Sequence, residues 1–170
     1  FDGVADQTVS VSTTDDDVAG FTITETEGST TVTEAGSTDT FDIVLNAQPD
    51  SNVVLTISSS DIGESSVHGS TPSNNTITFT STNWNTPQAF TVTGVDDDLV
   101  DGTVSSTVTV SIVDAVSDNN FDGVADQTVS VSTTDDDVAG FTVAETEGST
   151  GVTEAGGTDT FAVVLNAQPD

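Results

Sequence analysis

The stretch "DTFDIVLNAQPDSNVVLTI" at residues 39–57 holds two alternating runs around one polar turn. In the first run, Phe41, Ile43 and Leu45 occupy every second position, and in the second run Val53, Leu55 and Ile57 do the same. Successive side chains of a β-strand point to opposite faces, so a period of two places each triplet on one buried side. The intervening "NAQPDSN" is turn chemistry: Pro presets φ, and Asn and Asp bond to their own backbone. Runs this short, bounded by turn residues and rich in β-branched side chains, read as strands rather than helix.

The same period extends in both directions. It predicts strand A at about 21–25, A′ at about 31–34, B at 39–46 and C at 52–58. Strand D follows at about 76–80 with Ile77 and Phe79, and E at 88–94 with Phe90 and Val92. Strand F covers 104–113 with Val108, Val110 and Ile112, and G covers 126–134 with Val129 and Val131. Gly, Pro, Asn and Asp clusters separate them, and no segment carries a helical period. Seven or eight short strands in one such span describe an all-β, Ig-like antiparallel sandwich.

Residues 1–50 recur at 121–170, a period of 120, with differences only at Ile23/Val143, Thr24/Ala144, Thr31/Gly151, Ser37/Gly157, Asp42/Ala162 and Ile43/Val163. A period this long indicates whole domains in tandem rather than a solenoid of short repeats. Residues 18–137 then form one complete repeat, 1–17 the last strand of a preceding one, and 138–170 the first strands of a following one. The chain reads as a window on a longer polypeptide. It lacks an initiating Met, a signal peptide and any stretch apolar enough to span a bilayer as a helix.

Charge sets the next constraint. The chain has 29 acidic residues and no Lys or Arg, a formal charge of −29. No side chain can neutralise DNA or RNA phosphate, or bind an anionic membrane surface, so those partners are excluded. Two carboxylates about 4 Å apart repel by about 4 kcal/mol at an effective dielectric of 20. Clustered acids must therefore spread into water, take up protons or hold cations. With no Cys there is neither a disulfide framework nor a thiolate site.

Strand parity decides where the acids meet. Consecutive strands of an antiparallel sandwich alternate in direction, so A′, C, E and G end at one pole, here called the far pole. Glu34 follows A′, Asp61 and Glu64 follow C, and "VDDDLVDG" (95–102) follows E with Asp96, Asp97, Asp98 and Asp101. "TTDDD" ends G with Asp135, Asp136 and Asp137. Hard cations such as Ca²⁺ take about 6–8 oxygen ligands, many of them carboxylate, and a gathering this dense suits more than one ion. The competing reading is acidity for solubility in salty surroundings. The near pole holds "DNNFDG" (118–123), which fits the opening of a calcium loop with Asp118, Asn120 and Asp122 at alternate positions. Its twelfth position is Val129 rather than Glu, and such loops are also ordinary turns. The triplet Asp15, Asp16 and Asp17, closing the preceding repeat, is expected to abut this pole, so ions could bridge the joint.

The stretches "TVTEAGSTDTFDIVLNAQPDSNVVLTI", "FTVTGVDDDLVDG" and "VSVSTTDDDVAGFTI" resemble the Calx-β domain in the tandem form found in large bacterial surface proteins and adhesins. The resemblance covers the whole 18–137 span. It implies a seven-stranded Ig-like sandwich that binds several Ca²⁺ ions at one end. Carried over by position, the family's acid after the first strand falls on Glu34, and its pair after strand E on Asp96 and Asp97. The acid just beyond falls on Asp101, where the family usually carries Glu, and the terminal triplet falls on Asp135, Asp136 and Asp137. The 59–75 loop matches poorly, so Asp61 rests on strand parity more than on the resemblance.

The other chemistry-bearing residues read as structural. His68 is the only histidine and is expected on an exposed loop, and Trp84 is expected to plug the end of the core. Asn74 opens a glycosylation sequon, "NNT". No nucleophile–base arrangement is readable, so no catalytic activity is expected. The resulting expectation is a structural calcium-binding repeat in an extracellular or cell-surface rod of bacterial origin. Its partners would be neighbouring repeats, with lateral or end-to-end self-association as a further contact. The alternatives are a module that binds a glycan or a surface through its loops, and a metal-free acidic spacer.

Overall fold

A computed structural model describes residues 2–68 and 75–169. The sequon at Asn74 lies outside them. Nine strands form two packed sheets: β1 (Phe21–Glu25), β2 (Thr30–Thr33), β3 (Thr38–Leu45), β4 (Val53–Ser59), β5 (Ser65–His68), β6 (Thr76–Phe79), β7 (Gln88–Gly94), β8 (Thr103–Ile112) and β9 (Gln127–Thr134). One sheet has the order β1-β3-β7-β5 and the other β2-β9-β8-β4-β6. All pairs are antiparallel except β2 with β9, which run parallel with Thr33 opposite Thr134. This is the Ig-like β-sandwich expected, with each expected strand within a residue or two of its place.

The core is the set of alternating positions. Phe41, Ile43, Val53, Leu55, Phe79, Phe90, Val92, Val108, Val110 and Val131 are all sealed from solvent. Phe41 stacks on Phe90 across the β3–β7 pair at 5.7 Å between ring centroids. Burying one such side chain contributes about 1.5–3 kcal/mol. Trp84 packs against the edge of this cluster as expected, and its carbonyl accepts from the Leu45 N–H at 3.1 Å.

Strand β5 is a correction. Its four residues hold one aliphatic side chain, Val67, too few to show a period, yet they pair with β7 from Ser65↔Gly94 to His68↔Thr91. His68 therefore stands half-buried on a strand rather than exposed on a loop.

Beyond the sandwich, β10 (Phe141–Glu145) and β11 (Phe161–Leu165) form a separate two-stranded sheet. Its register, Phe141↔Leu165 to Glu145↔Phe161, repeats that of β1 with β3, Phe21↔Leu45 to Glu25↔Phe41. Closely similar sequences meet opposite surroundings in the two places. Phe41 is fully buried, whereas its counterpart Phe161 is 60% exposed.

Candidate metal centre

Two backbone approaches build the far pole. The parallel β2–β9 pair brings Glu34 beside the end of β9, and its N–H donates to the Thr134 carbonyl at 3.0 Å. Across the sandwich, Gly94 at the end of β7 lies so close to Thr33 that a Cβ there would collide with the Thr33 carbonyl. Only glycine lets the two sheets close here, and the closure carries the 95–102 loop over Glu34.

The loop is then fastened to the end of β9. The Gly102 N–H donates to Asp135 Oδ2 at 2.9 Å, and the Asp135 N–H donates to the Gly102 carbonyl at 3.3 Å. Asp135 Oδ1 accepts from the Asp137 N–H at 2.6 Å, and Asp97 Oδ1 accepts from the Leu99 N–H at 2.7 Å. Glu64, on the turn before β5, is held through its backbone: its carbonyl accepts from the Val95 N–H at 3.0 Å and from Thr133 Oγ1 at 3.3 Å.

The acids converge in two overlapping groups. Single carboxylate oxygens of Glu34, Glu64 and Asp101 lie within 4.8 Å of one another, and so do those of Glu34, Asp97 and Asp137. Glu34 belongs to both. It is 1% exposed, and neither of its carboxylate oxygens meets a hydrogen-bond donor among the described residues. One oxygen each of Glu64 and Asp137 is equally without a partner. A buried polar group left unbonded costs about 1–3 kcal/mol, more when it is charged. A chain without Lys or Arg cannot meet that cost with a side-chain cation.

The electrostatics follow. Burial first, then the nearby Asp97 and Asp135, pushes the Glu34 carboxyl up to about 7. Burial and Asp101 raise Glu64, and burial and Asp135 raise Asp137. Asp135 moves the other way, held below its usual range by the Gly102 and Asp137 N–H groups. Asp135 thus works as the local brace, while Glu34, Glu64, Asp97, Asp101 and Asp137 offer free oxygens. Oxygen donors alone, with no imidazole or thiolate, suit a hard cation. The buried, unbonded oxygens fit Ca²⁺.

The remaining expected positions lie around this centre or at the other pole. Asp96, Asp98 and Asp136 are exposed and belong to neither group. Asp61 is exposed as well, and its Oδ1 accepts from the Gly63 N–H at 3.0 Å. Of the two acids that follow strand C, Glu64 joins the cluster and Asp61 does not. Parity had put Glu64 at this pole, but its burial depends on contacts across the sandwich that no local pattern records.

At the near pole, Asp118 is buried and fully engaged. Its Oδ1 accepts from the Asn120 N–H at 2.9 Å and its Oδ2 from the Ser51 N–H at 2.8 Å. These bonds lower its pKa and cap a short 3-10 turn over Asn119–Phe121, whose Phe121 enters the core. Asn120 and Asp122 are exposed. Asp15 and Asp17 do reach this pole, where they line an open hollow with Asp50, Asn120 and Phe121. Asp16 lies beside them, exposed.

No family model matches the chain, and no curated protein matches it. Solved structures do. The apo form of a Calx CBD1 domain aligns at a TM-score of 0.42 and 14% identity, over 69% of this chain and 98% of that one. Domains 4 and 5 of the S-layer protein SbsC align at 0.42 and 18%, over 70% of this chain and 54% of that one. A GH5 xyloglucanase from Bacteroides ovatus aligns at 0.41 and 16%, over 66% of this chain. The chain spans about a fifth of the xyloglucanase (19%) and about half of the SbsC fragment (54%). The class defined by the fold is an Ig-like β-sandwich.

Proposed function

We propose that this chain is a structural calcium-binding module of a long extracellular rod, with Ca²⁺ held where one 120-residue unit meets the next. The observation that carries the reading is Glu34: a carboxylate sealed in a sandwich, with both oxygens unbonded among the described residues and four further acids converging on it. The two overlapping groups suit two ions with Glu34 between them. Glu64 and Asp101 would complete one site, and Asp97 and Asp137 the other. Bound ions would supply charge neutralisation only. The protein's part is to hold the oxygens in place through the Gly102–Asp135 and Asp135–Asp137 bonds.

In this reading residues 1–17 close a preceding unit, 18–137 form a whole one and 138–170 open the next. The far pole then faces the joint. The long strands β3, β8 and β9 have 8, 10 and 8 residues and rise about 3.3 Å per residue, so each unit adds a few tens of ångströms to the rod. Extracellular calcium modules bind in the range of about 10⁻⁴–10⁻³ M, which suits a cell-surface setting. Catalysis is disfavoured, because the acids converge on one another rather than face each other across a cleft.

Calorimetric titration of the chain with Ca²⁺ tests the proposal. Binding of at least two ions, lost in Glu34→Gln, is the expected result. No heat and no shift in melting would leave the metal-free spacer in its place.

A further inference from the structure

The loop that carries two candidate ligands also touches the second hairpin. Asp97 and Asp101 bracket Asp98, Leu99 and Val100. The Asp98 carbonyl accepts from the Gln168 N–H at 2.7 Å, and Leu99 pairs with Gln168 in a parallel bridge. Val100 lines a hollow with Ala139, Gly140, Leu165, Ala167 and Pro169. Two candidate ligand residues therefore bracket three consecutive docking residues along five positions of one backbone.

The docked edge has an exact counterpart in sequence. Ala139, Gly140, Ala167 and Gln168 repeat Ala19, Gly20, Ala47 and Gln48. In the first copy, Ala19, Ala47 and Gln48 line the hollow reached by Asp15 and Asp17. The same edge is thus approached in both places by a segment from the chain's other side of the joint.

We propose that residues 98–100 are a docking strand for the edge formed by residues 139–140 and 165–169, and that cation binding at Asp97 and Asp101 and the seating of this edge are one coupled equilibrium. The inference rests on the calcium reading above. Two ions, one held by Asp97 and the other by Asp101, fix the two ends of a five-residue stretch, which leaves the middle three little freedom. The backbone-ordering cost that docking would otherwise carry has then already been met. Coupling of this kind is reciprocal: a change at the edge must alter cation affinity by the same factor that the cation alters seating.

Reciprocity supplies the test. Gln168→Pro removes the N–H that reaches Asp98 and touches no candidate ligand. The chain has no Cys, so spin labels at Ser130→Cys and Ser149→Cys report the position of the hairpin relative to the sandwich. In 5 mM CaCl₂ the labelled parent chain should give one narrow distance population, which broadens in EGTA. Gln168→Pro, and separately Val100→Asp, should stay broad in Ca²⁺ and bind it about fivefold or more weakly, at unchanged stoichiometry. Parent-like Ca²⁺ affinity and a narrow distribution in both variants would overturn the proposal. So would a broad distribution in the parent chain while calorimetry shows it loaded with Ca²⁺. No Ca²⁺ binding by the parent chain would overturn the calcium reading itself, and this inference with it.

Discussion

Asp118 and Glu34 are buried acids at opposite poles of a sandwich that has no Lys or Arg. Asp118 sits in the loop that looks most like a calcium motif, and each of its oxygens accepts a backbone N–H. Glu34 sits after a plain strand, and neither of its oxygens accepts anything among the described residues. The first is held below its usual pKa by those bonds, and the second is pushed up to about 7 by burial and neighbouring acids. The difference teaches that burial alone does not mark a ligand. What marks it is burial with the hydrogen-bond accounting left open.

The comparison breaks hardest under saturating Ca²⁺. A ligand that binds only the folded state stabilises it by RT ln(1 + [L]/Kd), about 2.7 kcal/mol per site at a hundredfold excess over Kd. Two sites give about twice that, read as a rise in melting temperature between EGTA and Ca²⁺. Glu34→Gln should abolish most of the rise. Asp118→Asn should leave it intact, because its oxygens are already occupied by the protein.

A second break separates the acids by pH. The folded-state pKa of Glu34, about 7, lies above its ordinary value of 4.5. Between those values the folded state holds more protons than the unfolded state, so stability contributed here falls as pH rises. In chelator, the chain should melt higher at pH 5 than at pH 8, and Glu34→Gln should flatten that slope and gain stability at pH 8. Asp118 has the opposite sign. Its lowered pKa contributes stability above about 4, lost as pH falls through the folded value. A chelated Glu34→Gln chain that still loses stability from pH 5 to 8 would remove Glu34 as the cause.

Asp118→Ala is the third. It orphans the N–H groups of Ser51 and Asn120 and should cost about 1–3 kcal/mol in chelator and in Ca²⁺ alike. Urea unfolding under both conditions checks it, and a cost appearing only in Ca²⁺ would make Asp118 a ligand after all.

Much of this was legible in the sequence, and the rest was hidden for physical reasons. Period-two runs such as Phe41/Ile43/Leu45 found eight of the nine sandwich strands, because a half-buried strand must alternate. Strand β5 escaped because Ser65–His68 owes its place to pairing with β7, not to its own pattern. Parity alone gathered Glu34, Glu64, Asp97, Asp101 and Asp137 at one pole, since direction alternates whatever the side chains do. Which of them lose solvent is decided by the sheet closure at Gly94, a contact with Thr33 about sixty residues away in sequence. The "DNNFDG" loop shows the converse. An Asp that could bind a cation and an Asp that caps a turn use the same oxygens, and the donors Ser51 and Asn120 come from two separate segments.

The smallest expected effect is the sharpest control on the comparison. Asp61 lies at the same pole as Glu34 and is close enough to help raise Glu64. It is nevertheless exposed, and its Oδ1 is engaged by the Gly63 N–H. Asp61→Asn keeps that oxygen and removes only a charge. Exposed substitutions of this kind change stability by less than about 0.5 kcal/mol, and an exposed charge acts on the ions through water and salt, where it is heavily screened. Ca²⁺ affinity should therefore fall no more than about twofold, against its loss in Glu34→Gln. Equal losses in the two variants would mean that the pole binds cations by its summed charge. Unequal losses mean that it binds them through oxygens the fold has taken out of water.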